Sequence, residues 1–303
     1  TLTSSRKGIN ATVNDIKQLG ELLLPLLKKG QSIYSILQSH KEIKLSEKTI
    51  YNYIENGVFQ DVGVSITAID LKRVIRRKMS KQKRHAYKPR KDSRYLIGRK
   101  YSDFLIYMEK NPDAKVVEMD TVYNDMSNGP FLQTFKFIQY DLLICIYQTV
   151  KDSIHMLDGI LLLEEILGKQ MFEKEVEVIL TDRGSEFVLA EEAERREDGT
   201  RRTRMFYCDS MASWQKGSLE NVHLLVREIC PKGCDLHALG LTSQEKANLI
   251  SIHINSYPKE KLHGKSSIQL LHFYNEEMAK RLHDFGITEI PPDEVILKPY
   301  LLK

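Results

Sequence analysis

Three acidic residues in this chain stand where a carboxylate needs a reason to be. Asp120 lies inside VVEMDTV, an apolar, β-branched run that reads as a strand; an unpaired buried carboxylate is costly, so a partner or cation is implied. Asp182 ends VEVILTD and opens into Arg183-Gly184-Ser185-Glu186-Phe187, the kind of strand end where open α/β sheets place their sites. Glu220 lies in SWQKGSLENVHLLVREI, which reads as a helix over 216–229; sharing a face with Leu224 and Arg227, it is expected to point at the sheet. Three carboxylates gathered at one point repel one another unless cations neutralise them. Hard oxygen ligands suit Mg²⁺ or Mn²⁺, and two ions about 4 Å apart can stabilise the attacking and leaving oxygens at a phosphorus. The expected catalytic and metal-holding set is therefore Asp120, Asp182 and Glu220 with two divalent ions. Spacing alone does not separate them from the 41 acids of the chain, most of which belong on the surface.

Such residues need a sheet behind them, and the pattern supplies one. The runs 116–122, 132–139 and 141–147 read as strands separated by turn signals such as Ser127-Asn128-Gly129-Pro130. A helix follows over 152–168, with Ile154, Leu157, Ile160, Leu161 and Leu167 on one side, then strands at 176–180 and 205–208. Strands, a crossover helix and further strands imply an α/β fold with a mixed sheet covered by helices. The charged stretch 190–204 reads as an exposed excursion or hairpin, and helices are expected over 243–256 and 266–285, followed by an irregular tail.

The first sixty residues read as small helices. Thr12 with Asp15 makes a capping pair, Pro25 is expected to kink or end the first helix, and Ser32 opens a second that runs to Ser39. Ser46 is a good N-cap for a third, 47–55, which Gly57 closes. Two short helices around a tight turn, the second carrying Lys48, Thr49, Tyr51 and Asn52, have the shape of a helix-turn-helix; a helical pair that merely packs is the alternative.

Net charge is +4, but its distribution is uneven. Between 71 and 100 there are 14 Lys or Arg against one acid, Asp92, so the rest of the chain nets −9. A concentrated basic segment is the footprint of phosphate-backbone binding, with Arg76, Arg77, Lys83 and Arg84 as candidate contacts; a solvated linker is the alternative. No apolar run approaches the roughly 20 residues that span a bilayer, and the opening TLTSSRKG is not a signal peptide, so a cytoplasmic protein without membrane partners is expected. The absence of an initiator Met suggests a chain that begins partway through a longer protein. Four cysteines make no disulfide framework; Cys208, Cys230 and Cys234 with His223 and His237 offer a zinc alternative whose spacing matches no paired-knuckle pattern.

The strings TIYNYIENG, VVEMDTV, LTDRGSEF, FYCDSMASWQKGSLEN and CPKG, in this order, resemble the bacterial insertion-sequence transposases of the IS thirty family, from about Gly30 to Lys265. The block with Trp214, Gln215, Gly217, Glu220 and Asn221 is the most specific part. The resemblance places Asp120, Asp182 and Glu220 on the family's D, D and E positions. It implies a ribonuclease-H-like, retroviral-integrase-type catalytic core preceded by helix-turn-helix modules. The organisation it suggests is a helix-turn-helix domain over 1–65, a basic linker over 66–108, a catalytic domain over 109–265 and a helical tail over 266–303. The implied reaction is metal-dependent cleavage at insertion-sequence ends, then attack of the freed 3′-hydroxyl on target DNA. The implied partners are double-stranded DNA, both terminal inverted repeats and target, and further copies of the chain in a homodimer or larger assembly at the nucleoid. A DNA-binding regulator with a relict nuclease core and a structure-specific nuclease of the same fold are the alternatives.

Three departures accompany the resemblance. Family members usually carry a further helix-turn-helix module upstream. The 37 residues between Asp182 and Glu220 exceed the family's usual gap, an excess that 190–204 can absorb. Glu118-Met119 precedes Asp120 where a Trp is common. Around the acids, Trp214 and Gln215 are candidates to contact a frayed base, although an anchor for the helix is an equal role for Trp214. Lys216, His223 and Arg227 are candidates for phosphate contact, as are Lys259, Lys261 and Lys265 in NSYPKEKLHGK. Asp209 and Glu186 read as supporting or surface acids.

Overall fold

The computed structural model describes residues 11–71, 94–124, 129–210 and 212–303, which fall into two compact units. The basic candidates Arg76, Arg77, Lys83 and Arg84, and Ser127-Asn128 of the expected turn, lie outside the described residues. Among the described residues no helix is long and apolar enough to cross a membrane.

The first unit comprises residues up to Arg84 together with Pro292–Ile296. Helix α1 (Val13–Lys28) starts at the Thr12/Asp15 capping box read from the sequence. Pro25 does not end it: the helix continues to Lys28, with Leu23, Leu26 and Leu27 buried and Pro25 itself on the exposed side, where one lost backbone bond is hydrated. Helices α2 (Ile33–Ser39) and α3 (Glu47–Glu55) begin at Ser32 and Ser46, each hydroxyl accepting from the backbone N–H three residues on. A short α4 (Val58–Asp61) follows, and Ile33, Ile36, Ile50, Ile54 and Phe59 close the core. Lys48, Tyr51 and Asn52 stand on the exposed face of α3 opposite Ile50 and Ile54, while Thr49 turns toward Ser46. Gln31 donates its amide to the carbonyls of Pro292 (2.9 Å) and Val295 (3.0 Å), and Val295 is fully buried.

The second unit is built on helix α5 (Tyr101–Lys110) and a five-stranded sheet of β1 (Val116–Val122), β2 (Phe131–Phe137), β3 (Leu142–Gln148), β4 (Val178–Thr181) and β5 (Arg204–Tyr207). The strand order is β3-β2-β1-β4-β5, with β1, β2 and β3 antiparallel and β4 and β5 parallel to β1. Between β3 and β4 run α6 (Ser153–Leu167) and α7 (Lys169–Glu175); α8 (Ala190–Glu194) precedes β5, and α9 (Gly217–Ile229), α10 (Gln244–Asn255), α11 (Ser267–Tyr274) and α12 (Glu276–Asp284) follow it. This mixed sheet with flanking helices is the ribonuclease-H-like arrangement, and it is preceded by the helical unit expected from the sequence.

Alternation along the strands sorts the two faces. Val117, Met119, Ile179, Met205 and Tyr207 join the main core beneath α6 and the C-terminal helices. Val116, Val178, Leu180 and Phe206 pack under the aromatic residues of α5. Helix α6 buries Met156, Gly159, Ile160, Leu163 and Leu167, so Ile160 and Leu167 of the expected face lie inward with Leu157 packed beside them, while Ile154 and Leu161 are exposed. The helix is apolar almost all round, so contact chose its rotation: a Cβ on Gly159 would lie 1.8 Å from Gln133 Oε1, so only glycine permits this approach to β2. Within 190–204, α8 forms first and the expected exposed hairpin follows, closed by an antiparallel bridge between Arg195 and Arg201, while Arg202, 7% exposed, donates to the carbonyls of Glu192, Ala193 and Arg195 and to Glu164. The single helix expected over 266–285 breaks at Asn275, whose side chain caps α12 through Met278 N.

The outer edge of β3 is covered by side chains of α10. Gln244, Ser251 and Asn255 accept from the amides of Tyr147, Cys145 and Leu143, and Gln244 and Asn255 donate to the carbonyls of Cys145 and Leu143. On the other side of β2, Lys136 is fully buried and ion-paired to Asp141, which also holds Lys259 (2.8 Å) and Lys261 (2.5 Å). Lys259 is thus an internal counterion at the β2–β3 turn, not an outward phosphate ligand.

Candidate active site

The parallel register that pairs Val116 with Val178 and Glu118 with Leu180 leads to Asp120 in β1 and to Asp182 just past the end of β4, and one lysine bridges the two acids. Both project from the face that carries α5. Between their carboxylates sits the ammonium of Lys216, 3.0 Å from Asp120 Oδ2, 3.9 Å from Asp182 Oδ2 and 3.3 Å from the carbonyl of Met119. Burial alone would depress the Lys216 ammonium, 4% exposed, but Asp120 and Asp182 outweigh it and its pKa rises. The Asp182 carboxyl is also raised: partial burial in its turn and the charges of Asp120 and Glu186 push it up, against Lys216 and the Gly184 N–H.

The turn after Asp182 is tight. Gly184 N donates to Asp182 Oδ1 at 2.7 Å, and a Cβ on Gly184 would lie 2.5 Å from Glu186 Oε2 and 2.9 Å from Asp182 Oδ1. Glycine therefore leaves the carboxylates the space a side chain would fill. Glu186 is buried and paired with Lys151, so it supports the turn from within.

Glu220 forms no close three-carboxylate group with this pair. Helix α9 buries Leu219, Val222, Val226 and Ile229, and Glu220, one step round from Leu219, is exposed. Among the described residues no three His, Cys, Asp or Glu side chains gather closely enough to hold one ion; this includes Cys208, Cys230, Cys234, His223 and His237. Burial pushes the Cys208 and Cys230 thiols up to about 12, away from the thiolate form that zinc requires.

The start of α9 is set by a residue the sequence reading passed over. Glu118, 4% exposed, accepts from Leu219 N, a carboxylate at a helix N-terminus where it complements the orphan N–H groups. Its signal was present: Glu118 and Asp120 are two apart in one strand and so share a face. His223 anchors the next turn. Thr134 Oγ1 donates to the carbonyl of Asp120 (3.1 Å) and meets His223 Nε2 at 2.9 Å.

Most side chains expected at phosphates have internal partners. Arg227 donates to Asn124 Oδ1 (2.6 Å) and the carbonyl of Tyr123 (3.0 Å). Gln215, 8% exposed, is bonded to Asp209, which also pairs with Arg183. Lys216 and His223 are committed as described, and Trp214 alone of that group is open, at 72% exposure.

The residues fit a divalent cation in part. Two carboxylates share one cationic neighbour, Lys216, and paired oxygen donors of this kind suit a hard ion. A third ligand is not assembled with them.

No family model matches the chain. A stretch of 68 residues, 22% of this chain, is 37% identical to the transposase for insertion sequence element IS1086 of Cupriavidus metallidurans; it spans 19% of that protein. The magnesium-bound HTLV-2 integrase catalytic core domain overlaps 51% of this chain and 94% of its own at 15% identity and a TM-score of 0.36. The simian T-cell lymphotropic virus intasome in complex with PP2A regulatory subunit B56 gamma overlaps 52% of this chain and 55% of its own at 14% identity and a TM-score of 0.34. The strand order and register, not these overlaps, carry the fold assignment.

Proposed function

We propose that the chain is a DNA transposase of the IS thirty type, which cuts at insertion-sequence ends and joins the freed 3′-hydroxyl to target DNA. The observation that supports it most is the pair of Asp120, in β1, and Asp182, just past the end of the adjoining β4, bridged by one cation. The short stretch of identity to an insertion-sequence transposase points the same way. Asp120 and Asp182 would hold Mg²⁺ or Mn²⁺, with Glu220 supplying the third carboxylate after α9 or its side chain turns inward. When bound, such ions activate a water or hydroxyl and neutralise the leaving oxygen at phosphorus. The chain's own residues do the rest. Lys216 neutralises the acids, Thr134 and His223 fix the Asp120 backbone, Glu118 fixes the start of α9, and Gly184 keeps the turn open. Terminal repeats and target duplex are the DNA partners, read in part by Lys48, Thr49, Tyr51 and Asn52 on α3 and by the basic segment with Arg76, Arg77, Lys83 and Arg84. Two ends must be held together, which calls for a dimer or larger assembly acting on cellular DNA.

Asp182→Asn is expected to abolish Mg²⁺-dependent cutting of end-containing DNA while leaving binding in place. Unchanged cutting by that variant excludes the proposal. A regulator with a relict core is favoured by one observation, the exposed Glu220; cutting by the wild-type protein that is lost in Glu220→Gln eliminates it. Joined products in a plasmid assay separate a transposase from a simple nuclease.

A further inference from the structure

Trp214 is the chain's single tryptophan, and its indole is 72% exposed. A large aromatic group left open to water is unfavourable and calls for an explanation when its surroundings are rigid. Its described neighbours are bonded inward here. The turn Ser213–Lys216 that carries Trp214 turns Gln215 and Lys216 inward. Gln215 Oε1 accepts from Asp209 N (2.7 Å) and its Nε2 donates to Asp209 Oδ2 (3.0 Å), while Asp209 Oδ1 accepts from Arg183 (2.8 Å), the residue after Asp182. The indole itself meets Tyr101 edge-to-face at 6.2 Å, and Tyr101 continues through Phe104 (5.5 Å) to Phe206 of β5 (5.7 Å). One side is thus braced against an aromatic row rooted in the sheet, and most of the ring is free.

One residue, Gln215, separates Trp214 from Lys216, and through Gln215, Asp209 and Arg183 the turn that carries the indole is tied to the turn that carries Asp182. A base within a duplex has both faces covered by its neighbours, so an indole can stack only on a terminal, frayed or extruded base. We infer that Trp214, braced by Tyr101, is a stacking platform for an unpaired nucleobase of the DNA strand lying at Asp120 and Asp182, and so selects DNA ends carrying unpaired nucleotides. This rests on the nucleic-acid reading above and adds the substrate form it takes.

The single tryptophan makes its own reporter. The full chain, at low ionic strength and with EDTA present, is titrated with a 20-base-pair duplex that is blunt or carries a three-nucleotide 3′ extension, following indole emission and the anisotropy of labelled DNA. The extended duplex should quench the emission and bind about tenfold more tightly than the blunt one, as one stacked base supplies. Trp214→Ala should bind both duplexes alike at the blunt affinity, and Trp214→Phe should keep most of the preference. Equal affinities in the wild-type protein, or a preference that survives in Trp214→Ala, overturns the inference. Cutting of the same duplexes with Mg²⁺ tests the earlier reading separately. Cutting without end preference sinks only the platform, and absence of cutting sinks the transposase reading but leaves an observed preference standing.

Discussion

The hydroxyl of Thr134 has one proton and spends it on the carbonyl of Asp120, so His223 Nε2 must carry the proton of the second bond. That makes the imidazole neutral with a bare Nδ1, and burial holds its pKa at about 4 against an ordinary 6.5. The unfolded chain then binds more protons than the folded one between those values. The contribution is fully present above pH 6.5 and is lost as pH falls toward 4, about 2 kcal/mol once partial exposure is allowed for. Melting temperature followed from pH 7 to 4 should fall less steeply in His223→Gln than in the wild-type protein; parallel curves would refute the assignment. Asp120 and Asp182 drew notice as acids inside and at the end of apolar strands, and the family resemblance singled them out from the other acids of the chain. Lys216 was legible only as a basic residue near them. Its inward turn depends on β1 and β4 being neighbours, a long-range fact absent from local pattern.

Among elements, the β2–β3 hairpin carries the sharpest liability. Burial would raise the Asp141 carboxyl, but the ammoniums of Lys259 and Lys136 hold it at about 2. Asp141→Asn leaves two buried ammoniums without their counter-charge and is expected to destabilise the fold by roughly 3–5 kcal/mol. Urea unfolding within 1 kcal/mol of the wild-type value would show that the hydrogen bonds alone suffice. The strands were readable at nearly their final bounds because β-branched runs between turn residues are strong signals. The lysine near the end of FLQTFKF gave no sign of lying inward, since its partner Asp141 arrives from the turn after the strand. Side-chain contacts likewise decided the facing of α6 and the break at Asn275, and neither leaves a mark in apolar periodicity.

At the scale of the molecule, residues 292–303 are shared: Pro292–Ile296 belong with the first unit and Leu297–Lys303 with the second. Deleting 292–303 removes Val295 from its buried site and takes away both acceptors of the Gln31 amide, at about 0.5–1.5 kcal/mol for each hydrogen bond. Calorimetry of the shortened chain should show a melting point lowered by several degrees; an unchanged trace would mean these contacts contribute nothing. The rim of β3 has a different consequence. Sheet borders ordinarily trade their protons with solvent quickly, and a bare one invites a stranger's strand. Here the amides of Leu143, Cys145 and Tyr147 are each taken by a helix side chain, so in heavy water they should retain hydrogen about as long as the central strands do. Copies of the chain that assemble find these three donors already taken, which disfavours pairing along this border.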